Sequence, residues 1–157
     1  MNYNNKSRKG LLAVTTLTIV SIASVAAVYA VLIGTFQGGE VTIGGGATGA
    51  ITYSTDQSTW STLLSPASVD AVWYSKLNIN GGQFSGSAVQ ITWQLQRKTS
   101  ETTWTNVGTP ITTTMTLAAG AQDVYATSNG QATGNHDWGQ DVIEQGTYKV
   151  IATVNSA

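Results

Sequence analysis

The stretch AVQITWQLQR, residues 88–97, alternates without a break. Val89, Ile91, Trp93 and Leu95 stand on one side, and Gln90, Thr92, Gln94 and Gln96 on the other. A period of two follows the pleat of a β-strand and cannot follow a helix. One apolar face and one polar face mean an antiparallel sheet with a single side on the core. SVDAVWYSKLNIN repeats the pattern, with Val69, Ala71, Trp73, Ser75, Leu77 and Ile79 on one face. TYKVIATVN does so with Tyr148, Val150, Ala152 and Val154. Shorter runs add to these: AITYS, a segment through Trp104 and Val107, TPITTTMTLAAG with Pro110 at its start, and QDVYATS. About seven or eight strands are predicted from Ala50 onward, separated by turns, which is the pattern of an all-β antiparallel β-sandwich.

Composition narrows what such a sandwich can do. Only 10% of the residues are charged, and there is no cysteine. Disulfides and thiolate metal sites are therefore excluded. Beyond Ala30 the cations are Lys76, Arg97, Lys98 and Lys149. The anions are Glu40, Asp56, Asp70, Glu101, Asp123, Asp137, Asp141 and Glu144, so four against eight leaves −4. Nucleic-acid binding requires clustered Lys and Arg to displace counterions. Past the first ten residues the closest approach to that is the pair Arg97-Lys98. No nucleic-acid partner is expected.

Residues 1–30, MNYNNKSRKG LLAVTTLTIV SIASVAAVYA, open with Lys6, Arg8 and Lys9 and continue into an apolar run that carries no charge as far as Gly39. This is the form of a secretory signal peptide. Val28-Tyr29-Ala30 offers the small residues that precede a cut, so Val31 becomes the new N-terminus, and the membrane is met only through this leader. Two other readings remain. The run is long enough, on the order of 20 residues, to span a bilayer as a retained anchor. SRKG followed by LLAVTT also looks like a type IV pilin leader, cut after Gly10 with the helix kept.

VLIGTFQGGEVTI, residues 31–43, is a strand in two halves joined at Gly38-Gly39. Gly44 to Gly49 then reads as a flexible linker. The expected organisation is a leader (1–30), an N-terminal strand with its linker (31–49) and a sandwich (50–157). A strand at a chain terminus needs backbone partners, because unpaired buried backbone is costly. It can add to its own sheet. If the sandwich lacks a strand, it can instead enter the open edge of another copy.

Catalytic chemistry is hard to place. His136, the one histidine, lies in GNHDWG with no nucleophile motif nearby. The expected role of His136-Asp137-Trp138 is a turn that pins Trp138 over the sandwich edge. Asp137, Asp141 and Glu144 are close enough in sequence to suggest Ca²⁺, but they lack the spacing of a calcium loop. No catalytic residue, metal ligand or cofactor is assigned. Trp73 and Trp93 alternate inward. Trp60, Trp104 and Trp138 sit near loops, where they either pack over the sandwich ends or form a sugar-stacking surface.

In order along the chain, the leader, TFQGGEVTIGG, ITYSTDQSTW, VWYSKLNINGG, ITWQLQRKTSETTWTNVG and GQDVIEQGTYKVIATVN resemble the archaeal bundling pilus subunits. More distantly they resemble the TasA and camelysin group of biofilm-matrix fibre proteins. The likeness covers nearly the whole mature chain, and its motifs are structural. It implies a jelly-roll-like β-sandwich, secreted to the cell surface, that polymerises by donor-strand complementation. The resulting filaments would bundle laterally and serve cell-cell adhesion and biofilm formation. On that expectation Val31, Leu32, Ile33, Phe36, Val41 and Ile43 form the donor strand. The accepting groove is lined by Ile91, Trp93 and Leu95, or by Tyr148, Val150 and Ala152. The alternatives are a type IV pilin-like subunit with a retained helix and a monomeric carbohydrate-binding sandwich.

The intact mass of the surface protein is expected to correspond to residues 31–157. A start at Leu11 would instead place the chain with the type IV pilins.

Overall fold

The computed structural model describes residues 32–36, 39–43, 47–63 and 70–157, the first two segments by their backbone alone. The leader, its cleavage site, Val31, the linker residues 44–46 and Val69 lie outside the described residues. Eight strands are described: β1 (Leu32–Phe36), β2 (Gly39–Ile43), β3 (Ala47–Ser54), β4 (Tyr74–Asn80), β5 (Ala88–Lys98), β6 (Trp104–Thr116), β7 (Ala121–Tyr125) and β8 (Tyr148–Ser156). They form two four-stranded sheets, ordered β1-β8-β5-β6 and β2-β3-β4-β7. Every pairing is antiparallel. The all-β sandwich expected from the alternation is what the chain adopts, with the strand count of a jelly roll.

The core is built from the alternating residues. Val89, Ile91, Trp93 and Leu95 of β5 are fully buried, as are Leu77 and Ile79 of β4 and Val150, Ala152 and Val154 of β8. Ile51, Tyr53 and Val124 join them from β3 and β7, so both sheets feed one cluster. Fully burying each aliphatic side chain is worth roughly 1.5–3 kcal/mol. Trp73, Trp93 and Trp138 are the largest of the fully buried side chains. The Trp93 indole N–H donates to Thr113 Oγ1 (2.9 Å), whose own hydroxyl donates to the Thr127 carbonyl. A buried donor of this kind must find such a partner.

Four expectations are corrected. The segments through Trp104 and from Pro110 are one strand, β6, so six strands rather than seven or eight follow Ala50. The register explains the misreading: Trp93 faces Ile111 and Leu95 faces Val107, so Gly108, Thr109 and Pro110 bulge against Gln94 alone. Gly108 takes φ +69°, and β6 is an edge strand, where a proline needs no ladder partner. Gln94, expected to face water, is therefore buried, and its amide N–H₂ donates to the carbonyls of Val107 (2.8 Å) and Leu95 (3.0 Å). Finally, β4 starts at Tyr74 rather than in the SVDAVW run, because Asp70 turns the chain with φ +67°. Ala47-Thr48-Gly49, expected in the linker, belong to β3.

Replacing Leu77 with Ala is expected to lower stability by about 2–5 kcal/mol, the usual cost of a cavity in a packed core. Gln90→Ala, on the exposed face of the neighbouring sheet, should stay within about 0.5 kcal/mol. Urea midpoints of the two variants check this.

Candidate subunit interface

The N-terminal segment runs along one side of the sandwich and contributes a strand to each sheet. β1 pairs with β8, setting Gly34 opposite Val154, Thr35 opposite Thr153 and Phe36 opposite Ala152. β2 pairs with β3, from Gly39 opposite Ile51 to Ile43 opposite Ala47. Consecutive pieces of chain thus cover the edge of β8 in one sheet and of β3 in the other. Leu32, Ile33, Phe36, Val41 and Ile43, expected to form a donor strand, all lie in strands that pair with their own chain.

The two stretches expected to line an accepting groove lie on neighbouring strands of one sheet. β5 lies between β8 and β6, with both of its sides paired. Ile91, Trp93 and Leu95 therefore line the core and cannot offer an edge. β8 is the strand that β1 covers, but only over Ala152 to Asn155. Of the three candidates Tyr148, Val150 and Ala152, Ala152 alone stands opposite an N-terminal residue. The Tyr148 hydroxyl donates to the Glu144 carbonyl (2.6 Å).

Val150 is satisfied by a side chain. The buried Tyr53 hydroxyl, reaching across from β3, accepts from the Val150 N–H (3.2 Å) and donates to the Val150 carbonyl (3.5 Å). Its ring rests edge-on against Trp73, with centroids 5.9 Å apart. Burial pushes the phenol above its ordinary pKa, only partly opposed by the backbone hydrogen bond. The hydroxyl keeps its proton, so it can donate and accept at once. The alternation of AITYS places Tyr53 inward, but no local signal names Val150, 97 residues away, as its partner.

The opposite edges carry features that disfavour strand addition. β6 carries the Gly108–Pro110 bulge, and the Thr114 N–H donates to the Ser128 carbonyl (3.1 Å). β7 has only five residues and runs directly into a loop. Short edges, bulges and proline are the usual protection against unwanted pairing.

That loop, residues 126–147, is tied down at several points. The Asp137 carboxylate accepts from the N–H groups of Trp73 (3.1 Å) and Gly139 (2.9 Å), and so starts the 3₁₀ turn Trp138–Asp141. The Trp138 indole N–H donates to Ser75 Oγ (2.8 Å), and its ring lies 6.4 Å from Trp73. The turn that pins Trp138 is present as expected. Asn135 accepts from the Ala126 N–H and donates to the Ser75 carbonyl. Asp141 hydrogen-bonds His136 Nε2 (2.7 Å), and Glu144 pairs with Arg97. The three acids considered for calcium thus each bind separate partners. Among the described residues no group of three or more His, Asp or Glu is placed to hold a metal ion.

On the outer faces, Trp60 packs against Tyr125 (6.0 Å) with the Lys76 ammonium 4.6 Å from its ring centre. Lys149 sits 4.3 Å over Trp104. Both tryptophans are half-buried or nearly so under these contacts, which favours packing over an open stacking platform. Asp123 is desolvated, which raises its pKa, but the hydrogen bonds from Asn78 and Lys76 and the charge of Lys76 outweigh this and lower it overall. Asp56 is lowered by the N–H groups of Thr59 and Ser58, which hold the turn leading to Trp60. A carboxylate lowered on folding adds stability above its ordinary range, and that stability is lost as pH falls through the folded value.

No helix among the described residues is long and apolar enough to cross a membrane. Compared with protein-family models, curated proteins and solved structures, the chain matches none.

Gly139 is the tightest point of the docked loop, since an added Cβ would meet the Ala71 carbonyl oxygen at 1.8 Å. Gly139→Ala is expected to displace the turn and cost about 1–3 kcal/mol, as overpacking does. Gly134→Ala, where a Cβ would meet nothing within 4 Å but φ is +78°, should cost less. The two denaturation midpoints test the order.

Proposed function

We propose that this chain is the structural subunit of an extracellular filament, built by passing residues 31–43 of each subunit into the next. One observation carries this reading: two successive strands, residues 32–36 and 39–43, cover both sheet edges on one side of the sandwich. Withdrawing them would expose β8 and β3 together. A neighbour's copy would restore the same backbone pairs. Self-pairing and exchange therefore differ little in contacts, and concentration with linker geometry decides between them. The connection is head-to-tail, so exchange generates an open filament rather than a closed ring. The disfavoured edges at β6 and β7 leave this side as the one favoured for strand addition. The resemblance to bundling pilus subunits supports the same reading and adds lateral bundling, cell-cell adhesion and biofilm formation as its use.

A second reading rests on the pairing of β1 and β2 with their own chain: a self-complemented, monomeric surface sandwich. Negative-stain images of concentrated mature protein separate the two, since filaments support exchange and monodisperse particles support the monomer. Phe36→Asp sets a charge opposite buried Ala152 and should cost several kcal/mol. It is expected to abolish filaments, and a variant lacking residues 31–43 should be captured by the 31–43 peptide in trans. Filaments from either variant alone would refute the proposal.

A further inference from the structure

The described pairing of β1 with β8 ends at Phe36. Its register runs Gly34 to Val154, Thr35 to Thr153 and Phe36 to Ala152, and the next position of β8 with the same orientation is Val150. In an antiparallel pair, a hydrogen-bonded residue exchanges both its N–H and its C=O with one partner. The Tyr53 hydroxyl makes both of those bonds to Val150. It does so from the opposite sheet, held by a ring that is 5% exposed and packed against Trp73. One side-chain oxygen therefore takes the place of a strand residue.

We infer that Tyr53 is the register stop of the strand-accepting edge, the residue that decides which positions of an incoming strand β8 takes. The partner is residues 32–36 of a second copy of this chain, and that source rests on the strand-exchange reading. Without a stop, the strand could slide along β8 and keep the same face inward. A slip of one residue would turn every side chain to the wrong face, so the permitted slip is two. Such a slip brings Phe36 opposite Val150 and Thr35 opposite Ile151. With Tyr53 present this position is occupied, so the strand cannot advance along β8 past the register that sets Phe36 against Ala152. Tyr53 acts through Val150, as a positioning residue.

The absence of cysteine makes the test clean, because two introduced thiols have only each other to join. Directly opposed strand residues lie at about 4.5–5.5 Å between Cα atoms, within the range a disulfide spans. Two pairs are made in the full mature chain, Thr35→Cys with Thr153→Cys and Thr35→Cys with Ile151→Cys, each with Tyr53 and with Tyr53→Phe. With Tyr53, mild oxidation should close the 35–153 pair and leave the 35–151 pair open. With Tyr53→Phe, closure should shift to the 35–151 pair. If the 35–151 pair closes as readily as the 35–153 pair with Tyr53 in place, there is no stop and the inference is overturned, whether or not Tyr53→Phe folds. It is also overturned if a folded Tyr53→Phe protein keeps the original pairing, or if neither pair closes. Non-reducing electrophoresis reads the source of the strand separately. A ladder of multiples means exchange between chains, whereas a single-chain product overturns exchange and leaves the register result to be read on its own.

Discussion

Two parallel-lying sheet edges on one side of the sandwich have to find backbone partners, and the structure depends on how they do. β8 and β3 each lead a row of N–H and C=O groups past the core, where water cannot satisfy them without wetting Ala152, Val154 and Ile51. β1 and β2 satisfy most of that row. Where β1 ends, a tyrosine hydroxyl takes over. The edge on which the proposed strand exchange rests is thus a row of backbone groups. It has no cluster of reactive side chains, which fits the dispersal of His136, Asp137, Asp141 and Glu144 among separate structural partners.

The same economy governs the far end of the fold. The long loop after β7 has little secondary structure, yet it carries Trp138 into the core and ties Asn135 and Asp137 to the start of β4. Thr127, Asn135 and the Trp138 indole N–H all have backbone or hydroxyl partners, which lets a Gly-rich polar segment cover apolar surface. For a chain without disulfides, this hydrogen-bonded lid and the single two-sheet core supply the cohesion.

A strand that can leave its own sandwich must be replaceable at the same edges, and those edges must reject wrong registers. The first requirement is met when every copy carries an identical segment. The second is harder, because threonine-rich and glycine-rich strands pin register weakly. The bulge near Leu32 and the hydroxyl at Val150 are local irregularities on an otherwise regular ladder. Irregularities of this kind are what give a repetitive sequence a unique alignment.

Much of the fold was legible in the chain. Alternation placed Val89, Ile91, Trp93, Leu95, Leu77, Ile79, Val150, Ala152 and Val154 on the core side, and all are buried, because the two-residue pleat is a local property that each strand writes for itself. Alternation says nothing of neighbours. It could not show that β5 lies between β8 and β6 and β8 between β1 and β5, that Trp104 to Thr116 is one bulged strand, or that Gln94 is buried by its bond to the Val107 carbonyl at the bulge. Nor could it place the two halves of residues 32–43 in different sheets, or join Tyr53 to Val150. Those facts depend on pairings between residues far apart in the chain. Which edge is left to be covered is decided only when both sheets close around one core.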